Sequence, residues 1–493
     1  MSMFSWKVVY GGKTPPPGAA VAPDERLSWG RTTGLGAQHV VAMFGATFVF
    51  PIVMGLNPNL AIMMSGIATI CFLLIVKNKV PSYLGTSASF VGGAGAIYAQ
   101  GGGPADVTGA ILVAGVVLAA VGLVIHFLGS HVVNAVLPPV VTGAVVMLIG
   151  FNLAPVATNV YMPEDYWMAL ITMVIVILMA VGLRGFLGRI AIFLGLLAGY
   201  VLSFVADRIF GQITSVAPGA TEAAAHWRVD WTAVQAAPWF GFPNKTAEGL
   251  TGNALQNGNL DQVGWHLPNF SIAFSLLVLP AVIALVAENV GHVKAVAEMT
   301  QTDLDPMLGR AVAADGVGTM IASSVGGSPT TTYAENIGVM AATRIYSTAA
   351  YYVAALVAIL LGFIPKFGQI VNETPGGVLG GITLVLYGMI GLLGAKIWME
   401  NGVDFARPVN LVPIAAGLIM GIGLGTDRFF PITDEFTLGG IAMGTIIIVG
   451  GWHLANAFAP KDRDHGAVIS VDAGGKAYEQ KDVPPQHDHH GKH

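Results

Sequence analysis

Charged residues are scarce in this 493-residue chain, and so are cysteines. Asp, Glu, Lys and Arg make up 10% of the residues, whereas an ordinary soluble domain has about 25%. The single cysteine, Cys71, excludes an internal disulfide framework and a CxxC metal site. The first 30 residues contain no apolar run of signal-peptide length and are rich in Pro and Gly. These absences exclude an ordinary soluble protein and a disulfide-stabilised one.

Long apolar runs are instead the dominant feature. The chain is 54% hydrophobic, and its runs have about the 17 to 25 residues that a transmembrane helix needs. The 64 Gly and 27 Pro residues are typical of packed or interrupted membrane helices. We therefore predict an all-α polytopic membrane protein with 14 transmembrane segments, at roughly 32–55, 59–76, 81–98, 107–129, 132–153, 165–183, 186–209, 270–294, 307–325, 331–345, 347–365, 374–395, 408–425 and 435–456.

The longest connection, residues 210–269, divides these segments into seven plus seven. Because seven is odd, the second half starts from the opposite side of the membrane, which is the arithmetic of two inverted repeats. If the N-terminus is cytoplasmic, so is the C-terminus, and five of the 23 Lys and Arg residues lie outside, in agreement with the positive-inside rule. Those five are Arg208, Arg228, Lys245, Lys366 and Arg428.

Two segments do not resemble plain apolar helices. The third opens with "PSYLGTSASFVGG" and the tenth with "VGGSPTTTYAEN". Hydroxylated and β-branched residues beside Gly and Pro favour an extended backbone over a helix. Interrupted segments at matching positions of two repeats indicate a transporter's binding site. We therefore predict a short strand in each segment, followed by a half-helix whose N-terminus faces the cavity.

Ionisable side chains inside the predicted spans are the main site candidates. Glu288 and His292 are four residues apart, on one face of the eighth segment, and Glu335 is in the tenth. A charge at the membrane centre costs on the order of 3 kcal/mol, so a functional role is favoured over a structural Glu–His pair and a capping Glu. Gln38 and His39 of the first segment could join this site or form a helix–helix hydrogen bond.

The polar groups also restrict the ligand. Unprotonated carboxylates repel an anion, and a transported metal ion usually has more oxygen ligands than these. A neutral planar molecule with N–H donors suits carboxylate acceptors and backbone N–H donors. A carboxylate can also take up a proton, which a histidine on the same face would tune. We expect no metal site, no catalytic residue and no cofactor, with a proton gradient as the driving force. The His-rich end "QHDHHGKH" is more typical of a solvated tail than of a metal site.

The stretch "ENIGVMAATR", residues 335–344, matches in full the signature of the nucleobase–ascorbate transporter family, also called nucleobase–cation symporters of the second type. That signature is Gln, Glu or Pro, then Asn, any residue, Gly, four of any kind, Thr, and Arg, Lys or Gly. The preceding Tyr333, the following "IYS" and "ENVGHVKAV" in the eighth segment resemble its bacterial uracil permease branch. The first segment, "GAQHVVAMFGATFVFP", is similar to the family's first helix.

The resemblance implies an elevator-type, homodimeric transporter in the cytoplasmic membrane. Segments one to four and eight to eleven would form a core domain, 31–130 and 270–370. Segments five to seven and twelve to fourteen would form a gate domain, 131–209 and 371–457. Cytoplasmic tails, 1–30 and 458–493, and an extracellular or periplasmic loop, 210–269, complete this division. Glu288 and Glu335 would bind the base, and both would couple to protons together with His292. Purine and xanthine members usually have Gln where this chain has Glu335, which favours a pyrimidine.

Two positions depart from the uracil permease pattern. Ala88 stands where those permeases have a Phe, with Phe90 two residues later, and Ala334 stands where Gly is common. By the resemblance, the backbone at Ala88, Tyr333 and Ala334 still borders the substrate, and Asn336 supports the site.

Alternatives remain open on the sequence. A purine or xanthine permease of the same family is the nearest. An anion exchanger or channel of the same architecture would favour a basic residue near the half-helix N-termini, and Arg344 lies at the far end of its span. An intramembrane enzyme would need a nucleophile motif or an HExxH metal set, and neither accompanies Glu288 and His292.

Overall fold

The computed structural model describes residues 4–16, 18–129, 131–216, 222–425, 428–432, 437–459, 469–471 and 477–479. The described chain is mostly helical, and the His-rich end of the C-terminal tail lies outside it. Its helices are α1 Trp29–Val53, α2 Pro58–Ile75, α3 Val91–Ala99, α4 Pro104–Leu128, α5 His131–Val136, α6 Pro139–Asn152, α7 Tyr166–Gly182, α8 Gly185–Arg189, α9 Ala191–Phe210, α10 Thr232–Ala236, α11 Ile272–Val278, α12 Pro280–Thr300, α13 Leu308–Ser323, α14 Ala334–Thr343, α15 Thr348–Gly362, α16 Pro365–Asn372, α17 Gly376–Glu400, α18 Pro408–Leu424 and α19 Gly440–Phe458.

The strands are short and pair two by two. They are β1 Lys7–Val8, β2 Glu25–Arg26, β3 Leu84–Thr86, β4 Ile213–Ser215, β5 Ala224–His226, β6 Thr330–Thr332, β7 Phe429–Pro431, β8 Thr437–Gly439, β9 Ile469–Val471 and β10 Ala477–Glu479. The predicted strands of the third and tenth segments are confirmed as β3 and β6. They pair with each other in antiparallel register, Leu84 opposite Thr332 and Thr86 opposite Thr330.

Eight helical stretches of the described chain are long and apolar enough to cross a membrane. The bent pair α15 and α16, with an 83° angle between its helices, makes a ninth. The protein is therefore a multi-pass membrane protein. Each of the 14 predicted segments overlaps a helix, but in seven of them the longest helix has 17 residues or fewer, namely α3, α6, α7, α13, α14, α15 and α18.

Two threonines from different helices satisfy the outer backbone groups of the strand pair. Leu84 N donates to Thr69 Oγ1 at 2.9 Å, from α2. Thr330 N donates to Thr319 Oγ1 at 3.2 Å, and this hydroxyl donates to Thr330 O at 2.9 Å, from α13. Leu84 and Thr330 are each the first residue of their strand. In both halves of the chain, the N–H of that first residue therefore donates to a threonine hydroxyl of a neighbouring helix. Buried backbone groups are thereby paired at a depth where water cannot replace a partner.

The most extensive contacts between helices fall within two groups of helices. In the first, α13 packs on α2 and α4, and α15 packs on α1 and α2. In the second, α17 packs on α6 and α7, and α18 packs on α19. Residues 4–28, predicted as a tail, fold against the connection between α14 and α15 in the first group.

The long connection 210–269 is anchored to both groups. Arg228 bridges the start of α7 and the helix α9, which packs on α7 and α17 of the second group, with Nε 2.7 Å from Asp165 Oδ2 and Nη1 3.0 Å from Asp207 Oδ1. Farther along, Asn253 Nδ2 donates to Val53 O at the end of α1, at 2.9 Å. The described residues 210–216 and 222–269 therefore form a structured cap that contacts helices of both groups.

His266 is the most buried titratable group of this cap, with 6% of its surface exposed. Its Nε2 lies 3.1 Å from Thr108 Oγ1 of α4, and its Nδ1 lies 2.8 Å from Thr246 Oγ1. Its backbone N–H donates to Val325 O at 3.2 Å. Gly326 has φ +87°, and a Cβ there would lie 2.7 Å from the imidazole ring. Burial lowers the pKa of His266 below its usual value of 6.5, so the folded protein favours the neutral ring.

This burial predicts an acid-sensitive cap. The unfolded state, with an ordinary histidine pKa near 6.5, binds a proton that folded His266 resists, so stability falls as pH drops below about 6.5. His266→Gln should lower the apparent melting temperature at pH 7.5 and flatten its decline between pH 7.5 and 5.5. Thermal unfolding in detergent measures the change of melting temperature with pH for wild type and for His266→Gln. His126→Gln, at the exposed end of α4, is the control. Equal slopes for wild type and His266→Gln would contradict this role.

Candidate functional site

The candidate site lies where helices begin at the ends of the β3–β6 pair. α14 starts directly after β6, and α3 follows β3 after a single 3₁₀ turn, Ala88–Phe90. Because the strands are antiparallel and three residues long, the two helices leave from opposite ends of a pair about 7 Å long. The first N–H groups of each helix have no intrahelical partner and carry its positive dipole end. Two donor clusters therefore flank the strand pair.

Tyr333 joins the two strands as the residue before α14. Its backbone N–H donates to Tyr83 O at 3.1 Å, and its hydroxyl donates to Thr86 O at 2.6 Å. Its ring lies over Gly85, where a Cβ would come within 2.5 Å of the ring. The hydroxyl of Tyr333, proposed from sequence as a substrate-binding residue, is thus engaged with the scaffold, and its backbone borders the start of α14.

Polar side chains from α12 and α13 reach the same strand. His292 Nδ1 lies 2.7 Å from Thr332 Oγ1, and Thr331 Oγ1 donates to Asp315 Oδ2 at 3.2 Å. Glu288 lies within electrostatic reach of Asp315 and Glu335. Three carboxyl groups and one imidazole therefore surround β6 and the first turn of α14. In the described chain no hydrogen bond or ion pair joins His292 directly to Glu288; Thr332 is the imidazole's partner.

Part of this polar cluster borders open space. Glu288, His292 and Glu335 are half-buried, and the backbone beside them at Gly291 and Ala334 is exposed. A Cβ built on Gly291 meets no atom within 4 Å. Glu335 also accepts a hydrogen bond from its own backbone N–H at the start of α14. Glu288 and Glu335 are therefore the partly exposed carboxyl groups of this cluster, whereas Asp315 is fully buried.

The predicted supporting residues fall in two places. Asn336 Nδ2 donates to His39 O at 3.0 Å, and the His39 ring packs on Tyr351 with 4.4 Å between centroids. His39 is buried, so in this structure it forms the helix–helix contact between α1 and α14 rather than an open part of the site. Gln38 is half-buried beside it. Asn336 Oδ1 is buried without a hydrogen bond.

Ala88 and Phe90 differ in access. Ala88 is half-buried at the start of the turn before α3. Phe90 is 1% exposed, and its ring packs in the hydrophobic core directly before α3. In this geometry the Phe90 ring does not replace the aromatic ring that uracil permeases have at the position of Ala88.

Asp315 is the main residue that the sequence interpretation missed. It is fully buried on α13, where it accepts a hydrogen bond from Thr331 Oγ1 and lies next to Asn289 of α12. A carboxylate in the predicted span 307–325 was a sufficient signal, since ionisable residues within spans are site candidates by default. Within the described ranges, no group of three or more His, Cys, Asp or Glu residues is arranged to hold a metal ion.

Comparison with known proteins agrees with this geometry. The sequence profile of the Permease family, Xan_ur_permease, matches residues 30–428. The chain belongs to the nucleobase–ascorbate transporter family. The match contains the strand pair, α12, α13 and the motif helix α14, and it identifies a transporter rather than an enzyme.

Curated relatives of this permease cover most of its length. RutG of Escherichia coli (strain K12), provisionally named a pyrimidine permease, is 43% identical over 90% of this chain and 94% of its own. The uracil permease of Bacillus caldolyticus is 34% identical over 86% of this chain and 91% of its own. The uracil permease of Escherichia coli (strain K12) is 32% identical over 87% and 92%.

Solved structures establish the fold at much lower identity. The transmembrane domain of the cyanobacterial bicarbonate transporter BicA aligns with a TM-score of 0.52 at 13% identity, over 86% of this chain and 96% of that one. The murine anion transporter Slc26a9, in its inward-facing state, aligns with a TM-score of 0.58 at 10% identity, over 88% and 70%. The permease shares their fold.

The threonine contacts of the strand pair yield a stability prediction. Thr319→Val keeps the side-chain shape but leaves the buried N–H and C=O of Thr330 without this partner, at about 1–3 kcal/mol for a buried group left unpaired. We expect a lower apparent melting temperature in detergent. Thr383→Val is the matched control, since this buried hydroxyl bonds only to carbonyls of its own helix α17. An equal decrease of the melting temperature in both variants would show that the contact of Thr319 with the strand adds no stability beyond that of an ordinary buried hydroxyl.

Proposed function

We propose that the permease is a proton-coupled symporter that imports a nucleobase, with uracil as the favoured substrate, across the cytoplasmic membrane by an elevator-type movement. The observation that carries the proposal is the pair of partly exposed carboxylates, Glu288 and Glu335, beside the helix N-termini at the strand pair. Uracil presents N–H donors to carboxylates and carbonyl acceptors to backbone N–H groups, and it is neutral.

The relatives support the choice of base. Uracil is named for the permeases of Bacillus caldolyticus and Escherichia coli, and a pyrimidine for RutG. Glu335 at the first motif position provides an acceptor for a pyrimidine N–H, as the family resemblance implies. The half-buried Ala88 leaves space where a bulkier aromatic would stand. Competition by thymine and xanthine therefore tests the width of the pocket as well as its hydrogen-bonding pattern.

An anion substrate is less well supported, although the structural neighbours include anion transporters. Glu288, Asp315 and Glu335 would repel an anion. Among the described residues, His292 is bonded to Thr332, and Lys396 of α17 is an exposed residue that pairs with Glu400 at 3.5 Å. Neither replaces a fixed positive charge at a half-helix N-terminus.

The same crowding of carboxyl groups supports the proposal of proton coupling. Three neighbouring carboxyl groups repel one another, and a bound proton relieves that repulsion. We propose that Glu288 and Glu335 share the proton-coupled role with His292, which acts through Thr332 on the strand that ends at the site. The groups then titrate as a coupled set rather than singly.

The two helix groups support a division into core and gate domains. We propose that 31–130 and 270–370 form the core and that 131–209 and 371–457 form the gate. Each of these domains would then contain segments from both of the two inverted repeats of seven. The matching contacts of Thr69 and Thr319 with the two strands support the repeat. An open apolar groove of about 530 Å³ lies between α11–α12 of the proposed core and α19 of the proposed gate, where the two parts would slide past each other.

The orientation is also a proposal. The bias of Lys and Arg supports cytoplasmic termini and an outer position for the cap 210–269, and the family resemblance supports a homodimer in the inner membrane. The cap's separate anchors, Arg228 on one helix group and Asn253 on the other, connect the two parts that would move relative to each other.

Exchange of the motif carboxylate tests substrate recognition. Glu335→Gln replaces an acceptor by a donor in a site that a bound ligand desolvates, which costs about 1–3 kcal/mol, or tenfold or more in affinity. We expect weaker uracil binding by a protein that still folds, measured by thermal shift and by competition against labelled uracil. Glu298→Gln, on the exposed side of α12, is the control. Unchanged affinity would remove Glu335 from the site.

Coupling is tested in proteoliposomes with an imposed pH gradient. Wild-type accumulation of labelled uracil should disappear with an uncoupler, because proton and substrate enter together. His292→Ala should retain measurable binding but accumulate little uracil, whereas Glu288→Ala should lose both, since it also removes a ligand. His126→Ala serves as the control. Accumulation that survives the uncoupler would refute proton coupling, and full accumulation by His292→Ala would make this histidine a structural partner.

A further inference from the structure

Residues 4–28 form a folded strap in front of α1, outside the part of the chain that the family profile matches. Strand β1 pairs in parallel with β2, Lys7 opposite Glu25. The chain turns back between them at Gly11 and Gly12, both at positive φ, and Ser28 N donates to Gly12 O at 3.1 Å. The strap therefore has internal structure of its own before it reaches the membrane helices.

The strap adds a backbone bridge to the connection that leaves the motif helix α14. Val21 N donates to Arg344 O at 3.0 Å, and Tyr346 N donates to Val21 O at 2.8 Å. Thr348 N donates to Pro23 O at 3.0 Å. Val21 is completely buried and packs with Leu27 and Ile345 in a small cluster of its own. The backbone directly after α14 is thus paired with the strap rather than with another transmembrane helix.

Aromatic residues extend this attachment to the turn between α2 and β3. Trp6 Nε1 donates to Thr348 Oγ1 at 2.8 Å, and the Trp6 ring lies 5.6 Å from the ring of Tyr352. Tyr352 in turn donates to Asn78 Oδ1 at 2.9 Å. Asn78 is in the turn between α2 and β3. The strap is therefore connected to both chain segments that carry the strand pair.

Arg344 is the residue at which α14 ends and the strap begins to hold it. It adopts φ +55°, a left-handed conformation that favours Gly at a helix C-terminus, which gives a physical reason why the family signature allows Gly there. Here its Nη1 donates to Gly18 O at 2.7 Å. Arg344 therefore ends α14 in a left-handed conformation, and its side chain contacts the strap.

We propose that residues 4–28 are a static brace that fixes α14 and, through it, the position of Glu335 at the site. The inference rests on the proposed function, since it concerns how tightly that site holds its substrate. All the strap contacts named above go to α14, α15 and the α2–β3 turn, which lie in one helix group, so the strap can move with that group as one body. It acts as a positioning element and does not touch the substrate.

The test compares uracil uptake by proteoliposomes containing the full chain and three variants. Deletion of residues 2–26, and Trp6→Ala alone, should raise KM about 2- to 30-fold, the range of couplings carried by residues without ligand contact, with a smaller effect on Vmax. Lys13→Ala, an exposed strap residue, should leave both unchanged. A loss of folded transporter alone would lower Vmax and leave KM unchanged, and that result would overturn the brace.

A cross-link distinguishes a static brace from a strap that must open. Val21→Cys with Ile345→Cys, in a Cys71→Ala background, places two thiols at a bridged backbone pair. Oxidation should leave uptake unchanged, and uptake that stops on oxidation and returns on reduction would overturn the static brace. This pair, together with Trp6→Ala, decides the question even where the deletion fails to fold. Failure of wild type to take up uracil would count against the proposed function instead.

Discussion

Non-helical backbone at membrane depth must find every hydrogen-bond partner within the protein, and the β3–β6 pair is where the permease meets that constraint. Hydrocarbon offers no water to unpaired N–H and C=O groups, each of which costs several kcal/mol. Pairing two strands satisfies the facing groups, and Thr69 and Thr319 satisfy outer ones. The backbone N–H groups that remain available to a ligand are those at the helix N-termini, at the ends of the pair. The candidate site lies beside these N-termini.

Side chains around the pair extend the same arrangement into chemistry. Thr331 and Thr332 pass hydrogen bonds from the strand to Asp315 and His292, so the acid and the imidazole are fixed by the scaffold. Glu288 and Glu335 are less enclosed and face open space. The division between fixed and accessible groups is what a transporter needs, because the accessible groups must release their ligand as readily as they bind it.

The sequence carried a large part of this arrangement. Apolar runs located the helices, and the β-branched, hydroxylated openings of the third and tenth segments located the strands, because both signals are local. The spacing of Glu288 and His292 placed them on one helix face for the same reason. The register of Leu84 with Thr332, and the choice of Thr332 over Glu288 as partner of His292, depend on contacts between distant segments, which local patterns do not encode. The strap was missed because its composition resembles a free tail, and its order comes from the α14–α15 connection that it covers.

The strand pair also imposes an order on biosynthesis. Leu84 and Thr332 are about 250 residues apart in the chain, and at about 5–20 residues per second the ribosome needs on the order of 10 to 50 seconds to pass from one to the other. Throughout that interval the first strand is in the membrane without its partner. The first half of the permease must therefore be shielded, by lipid headgroups, insertion machinery or temporary contacts among its own helices, until the second half arrives. An early stop in translation would leave an edge with no stable place in the bilayer, and such fragments should be prime substrates for membrane quality control.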